Sequence, residues 1–180
     1  MAQMINNFEK ALDNVLKAEG GFTDDLRDPG NKLNDGRAGC TNMGVTQAAW
    51  ETYLGHKVST ADMKALTKEQ VGEFYKKKYW TPIQADALPT GIDFLAFSFA
   101  INSGVGSSAK RIQECVGATP DGVIGPRTLQ FIAGHDPKDL VEKFSQVKEN
   151  FYRSLKTFPT FGKGWLNRVE SEKAIALAML

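Results

Sequence analysis

The sequence predicts a mainly α chain with at most a small β-hairpin or sheet near residues 22–44, and three observations carry that expectation. Apolar residues recur at three- and four-residue steps through most of the chain. Helix-starting residues precede most of those stretches. Turn formers crowd into residues 22–44. At 180 residues and 42% apolar, the chain is long enough for one well-buried domain or two small lobes.

Residues 4–19 read as an amphipathic helix, with Phe8, Leu12, Val15, Leu16 and Glu19 on one face. Gly20-Gly21 ends it, because glycine accepts the left-handed conformation needed there. Asp24-Asp25, Asp28-Pro29-Gly30, Asn34-Asp35-Gly36 and Gly39 follow, with a candidate hairpin around Asn34-Asp35-Gly36. A helix is expected from near Thr46 through Tyr53. Thr60 or Ser59 caps a short helix carrying Met63 and Leu66. Thr67-Lys68-Glu69-Gln70 reads as a capping box. Its helix carries Val71, Phe74, Tyr75 and Tyr79 and ends near Trp80, before Pro82.

Pro89-Thr90-Gly91 is a turn and the candidate boundary. Ile92 to Ile101 reads as a buried central helix, although periodicity alone leaves a strand open. Ser107 or Ser108 caps a helix through Cys115, and Thr119-Pro120-Asp121-Gly122 is a turn. Pro126 suits the first position of a helix through Ile132. Asp136-Pro137 opens the next, with Leu140, Phe144, Val147, Phe151 and Leu155 as its apolar stripe. Phe158 to Gly164 reads as a loop and Trp165 to Leu180 as a final helix.

Composition excludes several classes of function. A net charge of +1 with no basic run gives no bulk attraction to nucleic acid. No run of about 18 apolar residues exists, so no membrane insertion is expected. Cys40 and Cys115 cannot make a disulfide scaffold, and two free thiols are favoured over a single bridge. Two cysteines and the separated His56 and His135 make no metal cluster, so no metal or cofactor is expected. The first residues lack a basic start followed by an apolar run. The chain is therefore expected to be made in the cytoplasm, and to stay there unless released or exported by another system.

Glu19 is the residue that needs explaining. It lies on the apolar stripe, at a helix C-terminus where the dipole disfavours an ionised carboxylate. Partial burial adds to this. Those are the conditions a general acid requires. Asp28 follows across a turn-rich connection that can fold back. Two carboxyls facing one bond are the minimum equipment for glycoside hydrolysis. Read alone, however, Glu19 is equally a solvated end residue and Asp28 a plain turn former.

The ordered motifs Glu19-Gly20-Gly21-Phe22, Asp28-Pro29-Gly30 and Thr41-Asn42-Met43-Gly44-Val45-Thr46 resemble the opening of glycoside hydrolase family 108, lysozyme-like N-acetylmuramidases found among phage and prophage endolysins. Asp93-Phe94, Ile101-Asn102-Ser103-Gly104, the run Asp121 to Leu129, and Gly164 to Val169 resemble the family's predicted peptidoglycan-binding region. The resemblance implies a lysozyme-like helical fold, with residues 1–88 as the catalytic segment and 89–180 as a helical peptidoglycan-binding-like segment packed with it. It implies a monomeric enzyme cutting the β-1,4 bond between N-acetylmuramic acid and N-acetylglucosamine in peptidoglycan glycan strands. Glu19 takes the place of the family's acid. Asp28 and Thr41 match the partners seen in phage-type lysozymes. A lytic transglycosylase and a non-catalytic wall-binding or secretion-helper protein are the alternatives.

Candidate sugar contacts are Asn42, Tyr79, Trp80 and Asn102. Tyr79 and Trp80 also continue the helical stripe of Phe74 and Tyr75, so core is their other reading. The chain departs from the family pattern in one place: Asn31 to Cys40 intervene before Thr41, carrying Lys32 and Arg37. That insertion is either a contact for glycan or stem peptide, or a neutral surface loop.

Overall fold

The computed structural model describes residues 7–180. Those residues are mainly α-helical, with nine α-helices and one small two-stranded antiparallel sheet among them. They form two compact units, Leu12–Lys77 and Lys78–Leu180, the second including residues 7–11.

Helix α1 spans Asn7–Glu19; residues 4–6 of the expected helix lie outside the described residues. Leu12 and Val15 are buried. Pro29–Asn31 forms one 3-10 turn. Strands β1 (Thr41–Asn42) and β2 (Val45–Thr46) pair with Thr41 opposite Thr46 and Asn42 opposite Val45. Met43 and Gly44 connect them with φ of +49° and +77°. Two successive positive values make the tight hairpin turn that matches strand twist. The sheet therefore sits at the edge of the expected region, around the Thr-Asn-Met-Gly motif.

Helices α2 (Gln47–Leu54), α3 (Thr60–Lys64) and α4 (Lys68–Tyr75) complete this unit. Thr46 caps α2 by accepting from the Ala49 amide. Of the two residues weighed for α3, Ser59 is the cap, in a capping box with Asp62. Thr67 and Gln70 form the box expected for α4. α4 closes on α1 through Gly72, where a β-carbon would lie 3.0 Å from a Leu12 methyl. The expected continuation to Trp80 changes geometry after Tyr75, into a π turn over Lys76–Trp80.

The second unit is built around α5 (Ile92–Ser103), whose residues 92–100 are all buried. This settles the helix-or-strand ambiguity. Around it lie α6 (Val105–Val116), α7 (Pro126–Ala133), α8 (Pro137–Ser154) and α9 (Phe158–Ala178). Phe8, Trp80 and Phe97 meet edge to face, with centroids 5.2–5.9 Å apart. Phe99 does the same with Phe144, Phe151 and Tyr152. Each such buried ring contributes about 1.5–3 kcal/mol. Asp93, at the start of α5, accepts from the Gly91 and Phe94 amides and from Asn7.

Two expectations need correction here, and one buried residue was not foreseen. Neither Ser107 nor Ser108 starts α6, which begins at Val105 after Gly104. Ser108 instead donates its hydroxyl to the Ala96 carbonyl of α5. The expected loop from Phe158 to Gly164 is the first two turns of α9. Pro159 is tolerated in a first helical turn. Gly162 is there because a β-carbon would lie 2.5 Å from the Phe158 ring. Finally, the α8 stripe includes a buried Lys148, which apolar periodicity cannot reveal. No helix among the described residues is long and apolar enough to cross a membrane. Cys40 and Cys115 are free thiols, the first buried and the second half-buried.

Candidate active site

Glu19 is the last residue of α1 and half-buried. Its stem lies against the turn between β1 and β2. A β-carbon at Gly44 would stand 2.9 Å from both the Cβ and the Cγ of Glu19, and 2.5 Å from the Tyr75 hydroxyl oxygen. Only glycine fits between them, and its positive φ also favours glycine. The Tyr75 hydroxyl donates to the Met43 carbonyl at 2.9 Å. Met43 is held in left-handed backbone, a conformation that costs a non-glycine residue about 1–2 kcal/mol.

Asp28 is exposed and caps the 3-10 turn, its Oδ1 accepting from the Gly30 amide at 2.8 Å. The turn role read from the sequence is therefore present, and the carboxyl stays at the surface. Thr41 pairs with Thr23 through both backbone groups and donates its hydroxyl to Asn31 Oδ1 at 2.7 Å.

Asn31 is fully buried and is the joint that sequence reasoning missed. Its amide donates to the Asp25 carbonyl, its backbone N–H to the Asp28 carbonyl, and its own carbonyl accepts from Gly39. The structure thus strings the three candidates together. Glu19 rests on Gly44, the hairpin carries Thr41, Thr41 bonds Asn31, and Asn31 holds the turn of Asp28. Asn31 is the first residue of the insertion; nothing in hydropathy distinguishes it from its neighbours.

The insertion is an ordered hairpin. Lys32 bridges to Ala38 and the Leu33 amide donates to the Arg37 carbonyl, with Gly36 in the turn. Buried Leu33 and Cys40 anchor it, and the Cys40 thiol donates to Gln47. Arg37 binds Asp35 at 2.7 Å and Glu51 of α2 at 2.7 and 3.0 Å. Its hydrogen bonds hold both carboxyls at about 2, well below the ordinary range. Lys57 adds a 3.3 Å contact to Asp35. Arg37, one of the two basic residues of the insertion, is therefore occupied within the protein, while Lys32 is exposed. A recess of about 350 Å³ lies beside this network, bordered by Leu33, Arg37, Glu51 and His56.

The sugar-contact candidates divide. Asn42 is buried and donates its amide to the Met63 carbonyl at 2.9 Å, so its side chain ties the hairpin to α3. Trp80 is 1% exposed, packed between Phe8 and Phe97, with its indole N–H on Asp86. It has no open face, so core is the right reading for it. Tyr79 is half-buried and Asn102 exposed, both in the Lys78–Leu180 unit. Burial pushes the Tyr152 hydroxyl up, and the Asn102 and Ser103 side chains oppose that shift.

Comparison with known proteins adds two findings. The family model described as glycosyl hydrolase 108 matches residues 12–104, which include every residue of the hairpin, Glu19 and Asp28. Among solved structures, SagA of Brucella abortus is similar at 38% identity with a TM-score of 0.82. The match covers 96% of this chain and 95% of that one. No curated protein matches the chain.

Proposed function

Since the chain belongs to the glycosyl hydrolase 108 family and is a glycoside hydrolase, we propose that it cleaves the β-1,4 bond between N-acetylmuramic acid and N-acetylglucosamine in bacterial peptidoglycan, with Glu19 as the acid. The observation that carries this reading is the seating of Glu19. Its stem is wedged against Gly44 while the residue stays partly open to solvent. A proton donor must be held still and still reach the bond it breaks.

In this mechanism Glu19 protonates the leaving glycosidic oxygen as the bond lengthens. Asp28 supplies the second carboxylate, supporting the oxocarbenium-like transition state, activating water or attacking directly. Thr41 contributes through its bond to Asn31, which fixes the turn that presents Asp28. Tyr79 and Asn102 remain the candidates for sugar contact. Because the substrate lies outside the cytoplasmic membrane, the enzyme acts after release or export.

Product analysis on purified peptidoglycan tests the reading. Glu19→Gln keeps the shape and should lose about 10²–10⁴-fold in turnover. Wild type should release fragments with reducing ends, whereas anhydro-muramyl ends would make it a lytic transglycosylase. Near wild-type clearing by Glu19→Gln would sink the assignment of the acid.

A further inference from the structure

We infer that Tyr75 is a positioning residue for Glu19, clamping through its hydroxyl the Met43–Gly44 turn against which the glutamate stem lies. The inference rests on the reading of Glu19 as the acid.

Tyr75 ends α4 and is 1% exposed. Its ring packs edge to face on Phe74, so a phenylalanine would serve equally as core filler. The hydroxyl has a more specific task. It reaches the carbonyl of Met43, the residue in unfavourable left-handed backbone. The same oxygen and the Glu19 stem both press on the space beside the Gly44 α-carbon, within 3 Å of one point. Three elements therefore converge there: the end of α1, the end of α4, and the hairpin turn.

A turn containing a strained residue relaxes unless a contact holds it. Here the hydrogen bond from Tyr75 supplies the hold, and the held turn is the surface that limits where the Glu19 stem can go. Removing the hydroxyl frees the Met43 carbonyl, loosens the turn and widens the range of Glu19 rotamers. A reacting group displaced by about 1 Å can lose about 100-fold in rate. Loss of restraint without outright displacement should give part of that.

Tyr75→Phe is the test, assayed on purified peptidoglycan beside wild type and Glu19→Gln at a temperature where all are folded. The expected result is a fall in kcat of about tenfold or more with KM within about twofold, because the acid's placement changes and substrate contacts do not. A folded Tyr75→Phe with wild-type kcat, or with a change confined to KM, would overturn the inference while leaving the acid assignment intact if Glu19→Gln is inactive. An active Glu19→Gln would instead remove the acid assignment and this inference with it. Should Tyr75→Phe not fold, NMR of the wild-type protein decides. One Glu19 side-chain rotamer with cross-relaxation to the Tyr75 ring supports the clamp. Rotamer-averaged couplings refute it.

Discussion

In residues 12–77 the buried polar side chains are Asn31, Asn42 and Gln47, all uncharged amides; in residues 78–180 they include the ions Asp93, Lys148 and Glu172. Two of the amides donate to carbonyls of irregular backbone, Asn31 to Asp25 and Gln47 to Val58, and Asn42 donates to Met63 near the end of the short α3. Backbone outside helices must find partners wherever it is buried. The second unit repeats the device where it too leaves helical structure: Gln113 donates to the Val123 carbonyl and accepts from the Gly122 amide. In its helical core, buried charged groups also link helix to helix. Lys148 of α8 and Arg168 of α9 both bond Glu172 of α9, which also accepts from Ser98 of α5. Irregular structure around a site calls for amides; a bundle can use charge.

The sharpest way to break this contrast is Glu172→Gln. Burial pushes the Glu172 carboxyl up, but the Lys148 charge, followed by hydrogen bonds from Lys148, Ser98 and Arg168, outweighs it and holds it low. Removing one partner of a buried pair strands the other, so urea unfolding should show a loss of about 3–5 kcal/mol. A loss under about 1 kcal/mol would mean that the cluster is solvated in solution. Next in size is Asn31→Ala, which leaves the Asp25 carbonyl and the Thr41 hydroxyl without their partner. It should cost about 1–3 kcal/mol and also lower turnover. Unchanged turnover would show that the turn of Asp28 is irrelevant to chemistry. Gly44→Ala, which puts a β-carbon against the Glu19 stem at a positive φ, should cost more than about 1 kcal/mol in stability and about 100-fold in activity. A Gly44→Ala enzyme with normal turnover would refute the seat described for Glu19.

The smallest effect is on pH. Asp35 and Glu51 have ordinary values of 3.8 and 4.5 and folded values of about 2. Depressed carboxyls stabilise the fold fully above about 4.5, and that contribution fades as pH falls toward 2. Amide exchange in residues 32–38 should therefore stay protected at pH 3.5 in wild type and lose protection there in Arg37→Gln. Equal protection in both would show that the ion network contributes nothing to docking the hairpin.

The helices were legible because capping and periodicity are local. Thr67 with Gln70, Pro126 and Asp136 each marked a start that the fold keeps. What failed was contact between distant segments. Phe158 to Gly164 looks like a loop until the Phe158 ring is known to cover Gly162. Lys148 looks like a surface lysine until α9 brings Glu172. In the site, Glu19 stood out because it lies on an apolar stripe, and Asp28 because it sits in a turn. Tyr75 passed as core, since periodicity cannot tell a ring that fills space from a hydroxyl that holds a carbonyl. The Met43-Gly44 turn carried a readable hairpin signal in its glycine, but strands of two residues are too short for alternation to register.

The two thiols have a practical consequence. Burial raises the Cys40 thiol, and burial pushes Cys115 up to about 12. Thiolates are the reactive species, so maleimide and iodoacetamide reagents should pass over both side chains. A cysteine introduced at the exposed Asn34, at the tip of the inserted hairpin, would then be the one site that takes a dye or spin label. The wild-type background would need no cysteine removed before the hairpin is watched against a cell-wall fragment.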